Sequence, residues 1–161
     1  MLIVIDDFLS EDKNKEVINF FTNHNASESR WFEGTLPNYL NSTSLISDCL
    51  KEVSKYYDLS SMIGCEMWCH NNTRPDWHYD KDEKLCEENQ EIKTPLCSIV
   101  YYANVNNLTN GRFLTETVAV TPKTNRLIMF SPNIYHTVEE YTGNRLAIAI
   151  NPWDTKPKAY I

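Results

Sequence analysis

Near residue 60 the hydrophobic period of this chain changes, and that change limits the folds open to it. Before it, apolar residues recur at helical spacing. Ser10 offers an N-cap, and Val17, Phe20, Phe21 and His24 fall at i, i+3, i+4 and i+7. Ile46, Cys49, Leu50, Val53 and Tyr57 form a second stripe over 43–57, with Ser42 to Ser44 as caps. Residues 25–43 between them are polar, hold Gly34 and Pro37, and read as a loop. After residue 60 the period approaches 2. Strands are predicted at 62–69, 76–80, 96–103, 112–120, 126–131, 134–139 and 144–151. Turn residues separate them, among them Asn71-Asn72, Asn106-Asn107, Asn110-Gly111 and Thr142-Gly143-Asn144. Met1 to Ile5 reads as an edge strand. Helices first and short strands after predict an α+β domain in which helices back one sheet of a β-sandwich or jelly roll.

The length, 161 residues, suits one domain with a sizeable core. Fifteen Lys and Arg against 22 Asp and Glu give a net charge of −7, which argues against a partner bound through its phosphate backbone. No apolar run approaches the roughly 20 residues that span a bilayer, so no membrane partner is expected. Met1 to Asp7 lacks a basic start and soon turns acidic, unlike a signal peptide, so the expected compartment is the cytoplasm. The five cysteines (49, 65, 69, 86 and 97) are odd in number and read as free thiols, buried as small hydrophobes. Cys65-x3-Cys69-His70 lacks the second ligand pair a zinc site would need. Residues 81–95 are charged and non-periodic, and read as a solvated loop of a length often used for a lid.

Histidine is scarce, occurring only at 24, 70, 78 and 136, and two of the four carry the chemistry. Trp77-His78-Tyr79-Asp80 places an imidazole and a carboxylate at i and i+2, on one face of a strand. The pair can fill two positions on one metal. His24 lies on a helix face and His70 just before a turn, whereas His136 lies in a β-pattern 56 residues after Asp80. Two His and one carboxylate make the facial triad that leaves a metal's other positions open. Nine residues after His136 comes Arg145. Alternation puts Leu146, Ile148 and Ile150 on one strand face and Arg145, Ala147 and Ala149 on the other. A guanidinium flanked by small side chains suits the floor of a cavity that recognises a carboxylate, although an edge-strand surface Arg reads equally well from the pattern alone.

Over roughly residues 62–154 the sequence resembles the Fe(II)/2-oxoglutarate-dependent dioxygenases, and within them the prolyl-4-hydroxylase-like group. The motifs are His78-x-Asp80, Ile99 to Asn104, Asn110 to Leu114, Arg126 to Phe130, His136-x-Val138 and Gly143-x-Arg145, in this order and spacing. The resemblance implies a double-stranded β-helix (jelly roll) backed by two N-terminal helices. Residues 1–161 would form one domain, with helical support at about 1–60 and the jelly-roll core at about 61–154. It implies iron ligands at His78, Asp80 and His136. It implies a basic residue for the distal carboxylate of 2-oxoglutarate at Arg145, assisted by Tyr102. Where the family often has a tyrosine about ten residues before the first iron-binding His, this chain has Trp68, carried over as a pocket residue. Asn110-Gly111 stands where the family often has a Gly-Gly pair, and Ala147 and Ala149 stand where some members place a hydroxyl residue.

The implied cofactors are Fe(II), 2-oxoglutarate as cosubstrate and O2, with ascorbate a candidate reductant. The implied reaction is hydroxylation coupled to decarboxylation of 2-oxoglutarate to succinate and CO2. By subgroup the first substrate is a prolyl residue in a protein or peptide. A small metabolite or a nucleobase is the nearest alternative, and a cupin-like metal protein without oxygenase activity a more distant one. Trp77 and Tyr79 point away from the iron-binding face and are expected to pack. Arg74, Trp68 and Arg112 are candidates for the mouth of the site. The Asp76 carboxylate is either an acceptor for the His78 N–H or solvent-facing. Substrate choice would fall to the loops at 71–77 and 81–95.

Overall fold

The computed structural model of the chain describes residues 1–24, 28–70 and 76–161, and of His70 the backbone alone. The turn at Asn71-Asn72, the greater part of the 71–77 loop and Arg74 lie outside the described residues.

The strands make two sheets. β1 (Leu2–Ile5), β2 (Arg30–Glu33), β3 (Gly64–His70), β4 (Ser98–Asn110), β7 (Arg126–Phe130) and β9 (Tyr141–Trp153) form a six-stranded sheet in the order β1-β7-β4-β9-β3-β2. β5 (Phe113–Thr115), β6 (Ala119–Val120) and β8 (His136–Val138) form a smaller one in the order β6-β5-β8. All pairings are antiparallel. This is a jelly-roll-like architecture, and β1 is at an edge as its position in the sequence predicts.

Alternation decides which layer each central residue joins. Ile99, Tyr101, Leu127, Met129, Ile148 and Ile150 point to one side of the large sheet, into a core shared with the helices. Val100, Tyr102, Ile128, Phe130 and Ala147 point to the other side, toward the small sheet. Both faces are covered, so these strands read as near-continuous apolar runs.

Helix α1 (Glu11–Asn23) starts at the Ser10 cap, whose side chain accepts from Lys13 N–H. Its buried face is rotated from the predicted one. Asn14, Val17, Ile18 and Phe21 face the core, whereas Phe20 and His24 turn outward and stack on each other at 4.4 Å. Buried Asn14 causes the difference. It donates to Ala103 O at 3.1 Å and accepts from Tyr101 Oη at 2.6 Å, so a polar residue joins the inward face with its hydrogen bonds met. Helix α3 (Leu45–Val53) is shorter than the predicted 43–57, but its stripe of Ile46, Cys49, Leu50 and Val53 is fully buried.

Several stretches differ from expectation. The polar segment 25–43 is more than a loop, because it holds β2 and a short helix α2 (Leu36–Leu40). Thr35 before an early Pro37 was its signal, and Thr35 N–H donates to the Asn38 side chain at 2.9 Å. Residues 81–95 hold helix α4 (Glu83–Asn89), capped by Asp82. Buried Asp82 accepts from Leu85 N–H at 3.0 Å and from Lys158 N–H at 2.7 Å, which ties α4 to the C-terminal segment. The predicted strand 112–120 breaks into β5 and β6 around a turn closed by Thr115 and Val118. The predicted strand 76–80 is reduced to one bridge residue, His78. β4 and β9 run as a long ribbon through the supposed turns. Bulges near Tyr102/Asn104 and Asn106/Thr109 absorb the irregularity, and Asn107, Asn110 and Gly111 have positive φ.

All five cysteines are free, and all but Cys86 are buried, as their apolar settings suggest. Among the described residues no helix is long and apolar enough to cross a membrane.

Candidate metal and carboxylate site

His78 and His136 meet because β8 carries one and an isolated bridge carries the other. His78 N–H donates to His136 O and His136 N–H donates to His78 O, each at 3.0 Å. Directly opposed residues on an antiparallel ladder project to the same face, and the imidazole centroids lie 4.3 Å apart. Past His78 the chain leaves the extended path, yet the Asp80 carboxylate still turns back to the pair. Asp80 Oδ1 lies 3.4 Å from His78 Nε2 and 3.8 Å from His136 Nε2. The ligand atoms of all three residues fall within 4.8 Å of one another, and they form the one such cluster among the described residues.

The far nitrogens fix how the rings present themselves. His78 Nδ1 lies 2.7 Å from Asp76 O, and His136 Nδ1 lies 2.9 Å from Ile134 O. A carbonyl only accepts, so each Nδ1 carries the proton and each Nε2 turns a lone pair inward. The acceptor for His78 is therefore the Asp76 backbone and not its carboxylate. The hydrogen bond with Asp80 raises the His78 pKa against the opposing effect of burial. Burial lowers the His136 pKa, and its side chain is 7% exposed against 30% for His78. Burial pushes the Asp80 carboxyl up, but the hydrogen bond to His78 and the nearby His136 outweigh it and leave the pKa below the ordinary value. The cluster thus holds an ionised carboxylate between two imidazoles, one of them kept neutral by burial.

The three residues line a cavity. Arg145, Ala147 and Ala149 form one wall, on the face alternation predicts, and Trp68 and Tyr102 also line it. Phe113 and Phe130 pack on the His136 ring at 5.2 and 4.8 Å and dry that side.

Arg145 differs from Arg112 and Arg126. Arg112 is held by Glu139 and Arg126 by Asp6. Arg145 has no carboxylate partner among the described residues. Its Nη1 donates to Gly111 O at 3.3 Å, its Cζ lies 4.4 Å from the Tyr141 ring centroid, and its buried Nε has no hydrogen-bond partner. Tyr102 lies beside it, with the Arg145 Cζ 5.9 Å from the ring, and burial holds the Tyr102 phenol at a pKa of about 12. A cation without a counter-charge and a phenol that stays protonated face one cavity, where an incoming carboxylate would satisfy both.

Trp77 and Tyr79 point away from the cluster, as expected, and pack on Tyr135 at 5.5 and 4.8 Å. Arg112 does not reach the mouth, because Glu139 takes both its Nε and Nη2. Asn151 was missed. It continues the Arg145-Ala147-Ala149 alternation into the cavity, so two more residues of the same pattern would have found it.

No family model matches the sequence, and no curated protein matches it. Solved structures do match. A viral collagen prolyl hydroxylase from Paramecium Bursaria Chlorella virus-1, solved with 2-oxoglutarate, aligns at a TM-score of 0.63 and 16% identity over 94% of each chain. A Pseudomonas putida prolyl-4-hydroxylase aligns at 0.63 and 16%, covering 96% of this chain and 93% of that one. A Trichoplax adhaerens prolyl hydroxylase, in complex with a hypoxia inducible factor peptide fragment, aligns at 0.62 and 18% over 99% and 86%. The chain has the fold of these prolyl hydroxylases.

Proposed function

We propose that the protein is an Fe(II)- and 2-oxoglutarate-dependent dioxygenase that hydroxylates a prolyl residue in a protein or peptide. One observation carries the reading: the His78-Asp80-His136 cluster and Arg145, which has no carboxylate partner among the described residues, line a single cavity. The donor set fits iron. Two imidazole nitrogens and one carboxylate oxygen suit a divalent transition metal, and their crowding on one side leaves positions for other ligands. The backbone acceptors at Asp76 and Ile134 supply the outer contacts that orient such ligands.

The chain's residues divide the remaining work. Arg145 and Tyr102 hold the distal carboxylate of 2-oxoglutarate, the first by charge and the second by donating its phenol proton. Ala147 and Ala149 leave room along the wall for the cosubstrate. Phe113 and Phe130 keep water from the His136 side, where a reactive centre needs shielding. Bound iron and 2-oxoglutarate supply oxidative decarboxylation to succinate and CO2, coupled to hydroxylation by O2, with ascorbate as the candidate reductant. A peptide substrate is favoured because one structural neighbour is seen with a peptide bound.

Anaerobic titration tests the reading. Fe(II) followed by 2-oxoglutarate should give the visible charge-transfer absorption of a 2-oxo acid chelated to iron. A screen of proline-containing peptides should then show a mass gain of one oxygen. Absence of the absorption contradicts the oxygenase assignment, and oxygen gain only in small metabolites contradicts the peptide assignment.

A further inference from the structure

We infer that Asn151 is a receptor for an amide group of the substrate, with its side-chain carboxamide pairing along the edge of a peptide bond. The inference rests on the oxygenase reading of the same cavity. Asn151 is 3% exposed and lines that cavity, yet its side chain makes no hydrogen bond among the described residues. Two other buried polar side chains contrast with it. Asn14 is bonded at both ends of its amide, and Asp82 accepts two backbone N–H groups. No described protein group satisfies this amide, so its place in a cavity wall suits an incoming partner.

Its place on β9 separates it from the cosubstrate. Arg145 and Asn151 are six residues apart on one strand, so their Cα atoms are about 20 Å apart at ~3.4 Å per residue. A five-carbon dicarboxylate is shorter than two extended residues, about 7 Å. Held at Arg145 and at the metal, it does not reach Asn151. The cavity wall is therefore cationic at Arg145 and polar but uncharged at Asn151.

The chemistry at the uncharged end selects the partner. An anion there would meet Asp80, and a cation would find no carboxylate left once Asp80 holds a metal. Asn151 offers a donor and an acceptor side by side, which match the C=O and N–H of an amide. Trp68 pairs with Ala149 on the neighbouring strand and adds an apolar wall. Continuing the ladder one step beyond the Ile99–Ile150 pair sets Ser98 opposite Asn151.

The test compares N-acetylproline methylamide with N-acetylproline methyl ester, which differ in the one amide N–H. Affinities are read by ligand-observed NMR on protein loaded with Zn(II) and 2-oxoglutarate, so that no turnover intervenes. Wild type should favour the methylamide by about tenfold, the worth of one well-made hydrogen bond. Asn151→Leu should bind both probes alike while keeping its Zn(II) and 2-oxoglutarate affinities. The near-isosteric Asn151→Asp, which loses the donor, should weaken both probes. The inference is overturned if Asn151→Leu keeps the preference, if wild type shows none or binds neither probe, or if either variant loses the metal, since Asn151 would then support Asp80. Failure of Zn(II)-loaded wild type to bind 2-oxoglutarate is a separate result, and it removes the oxygenase reading itself.

Discussion

His78 and His136 exchange both of their backbone hydrogen bonds, each at 3.0 Å, although 58 residues separate them in sequence. The small sheet thereby acquires a one-residue edge at His78, paired with His136. The backbone fixes the spacing of the rings, and the carbonyls of Asp76 and Ile134 fix their tilt.

His136→Ala should therefore cost more than about 100-fold in Fe(II) or Co(II) affinity, beyond what loss of an outer contact costs. The fold should persist, because the bridge uses only backbone atoms of residue 136. Calorimetric metal titration beside a thermal melt separates the two effects.

Arg145→Ala should weaken 2-oxoglutarate binding by about 10- to 100-fold, the range for charge-assisted hydrogen bonds, and leave metal affinity unchanged. The measurement is a 2-oxoglutarate titration of the metal-loaded protein. An unchanged affinity would mean that the carboxylate is held elsewhere.

Metal binding should release protons as pH falls toward the raised His78 value. His78 must lose a proton to bind, whereas burial already keeps His136 neutral. Zn(II) affinity should fall about tenfold per pH unit below the folded His78 pKa. In the metal-free protein the two rings oppose each other. The raised His78 pKa stabilises the fold below about pH 6.5, and that gain is lost as pH rises through the folded value. The lowered His136 pKa works in reverse, destabilising the fold as pH falls below about 6.5. His136→Ala isolates the first effect, so this variant should melt higher at about pH 6 than at about pH 8.

Gly143→Ala should lower stability by about 2 kcal/mol or more. Gly143 has φ +102, and a Cβ there would lie 2.1 Å from Asn107 O on the adjacent strand. Thermal and urea melts give the value. A neutral substitution would mean that the bulge relaxes freely.

Much of this was legible in the sequence because both sheet faces are buried and alternation is strict. Ile99 to Tyr102, Arg126 to Phe130 and Arg145 to Ile150 each sort their side chains as the pattern predicts. The metal cluster was legible for a different reason: with so few histidines, His78-x-Asp80 had few partners to choose from. What escaped was set by contacts distant in sequence. Asn14 turns inward because Ala103 and Tyr101 receive it. Residues 76–80 lose their strand because only His78 finds a partner, and α4 forms where charge density suggested a loop because Asp82 caps it. Arg145 is ambiguous in the pattern because the contacts that sort the arginines are distant in sequence: Glu139 holds Arg112 and Asp6 holds Arg126, and no described carboxylate holds Arg145.

Consumption of 2-oxoglutarate tests the central claim most directly. Purified protein supplied with Fe(II), 2-oxoglutarate and O2 should form succinate in slow, substrate-independent turnover, one per 2-oxoglutarate consumed, and His136→Ala should form none. No succinate from the wild-type protein, together with no 2-oxoglutarate binding in the presence of iron, would contradict the assignment.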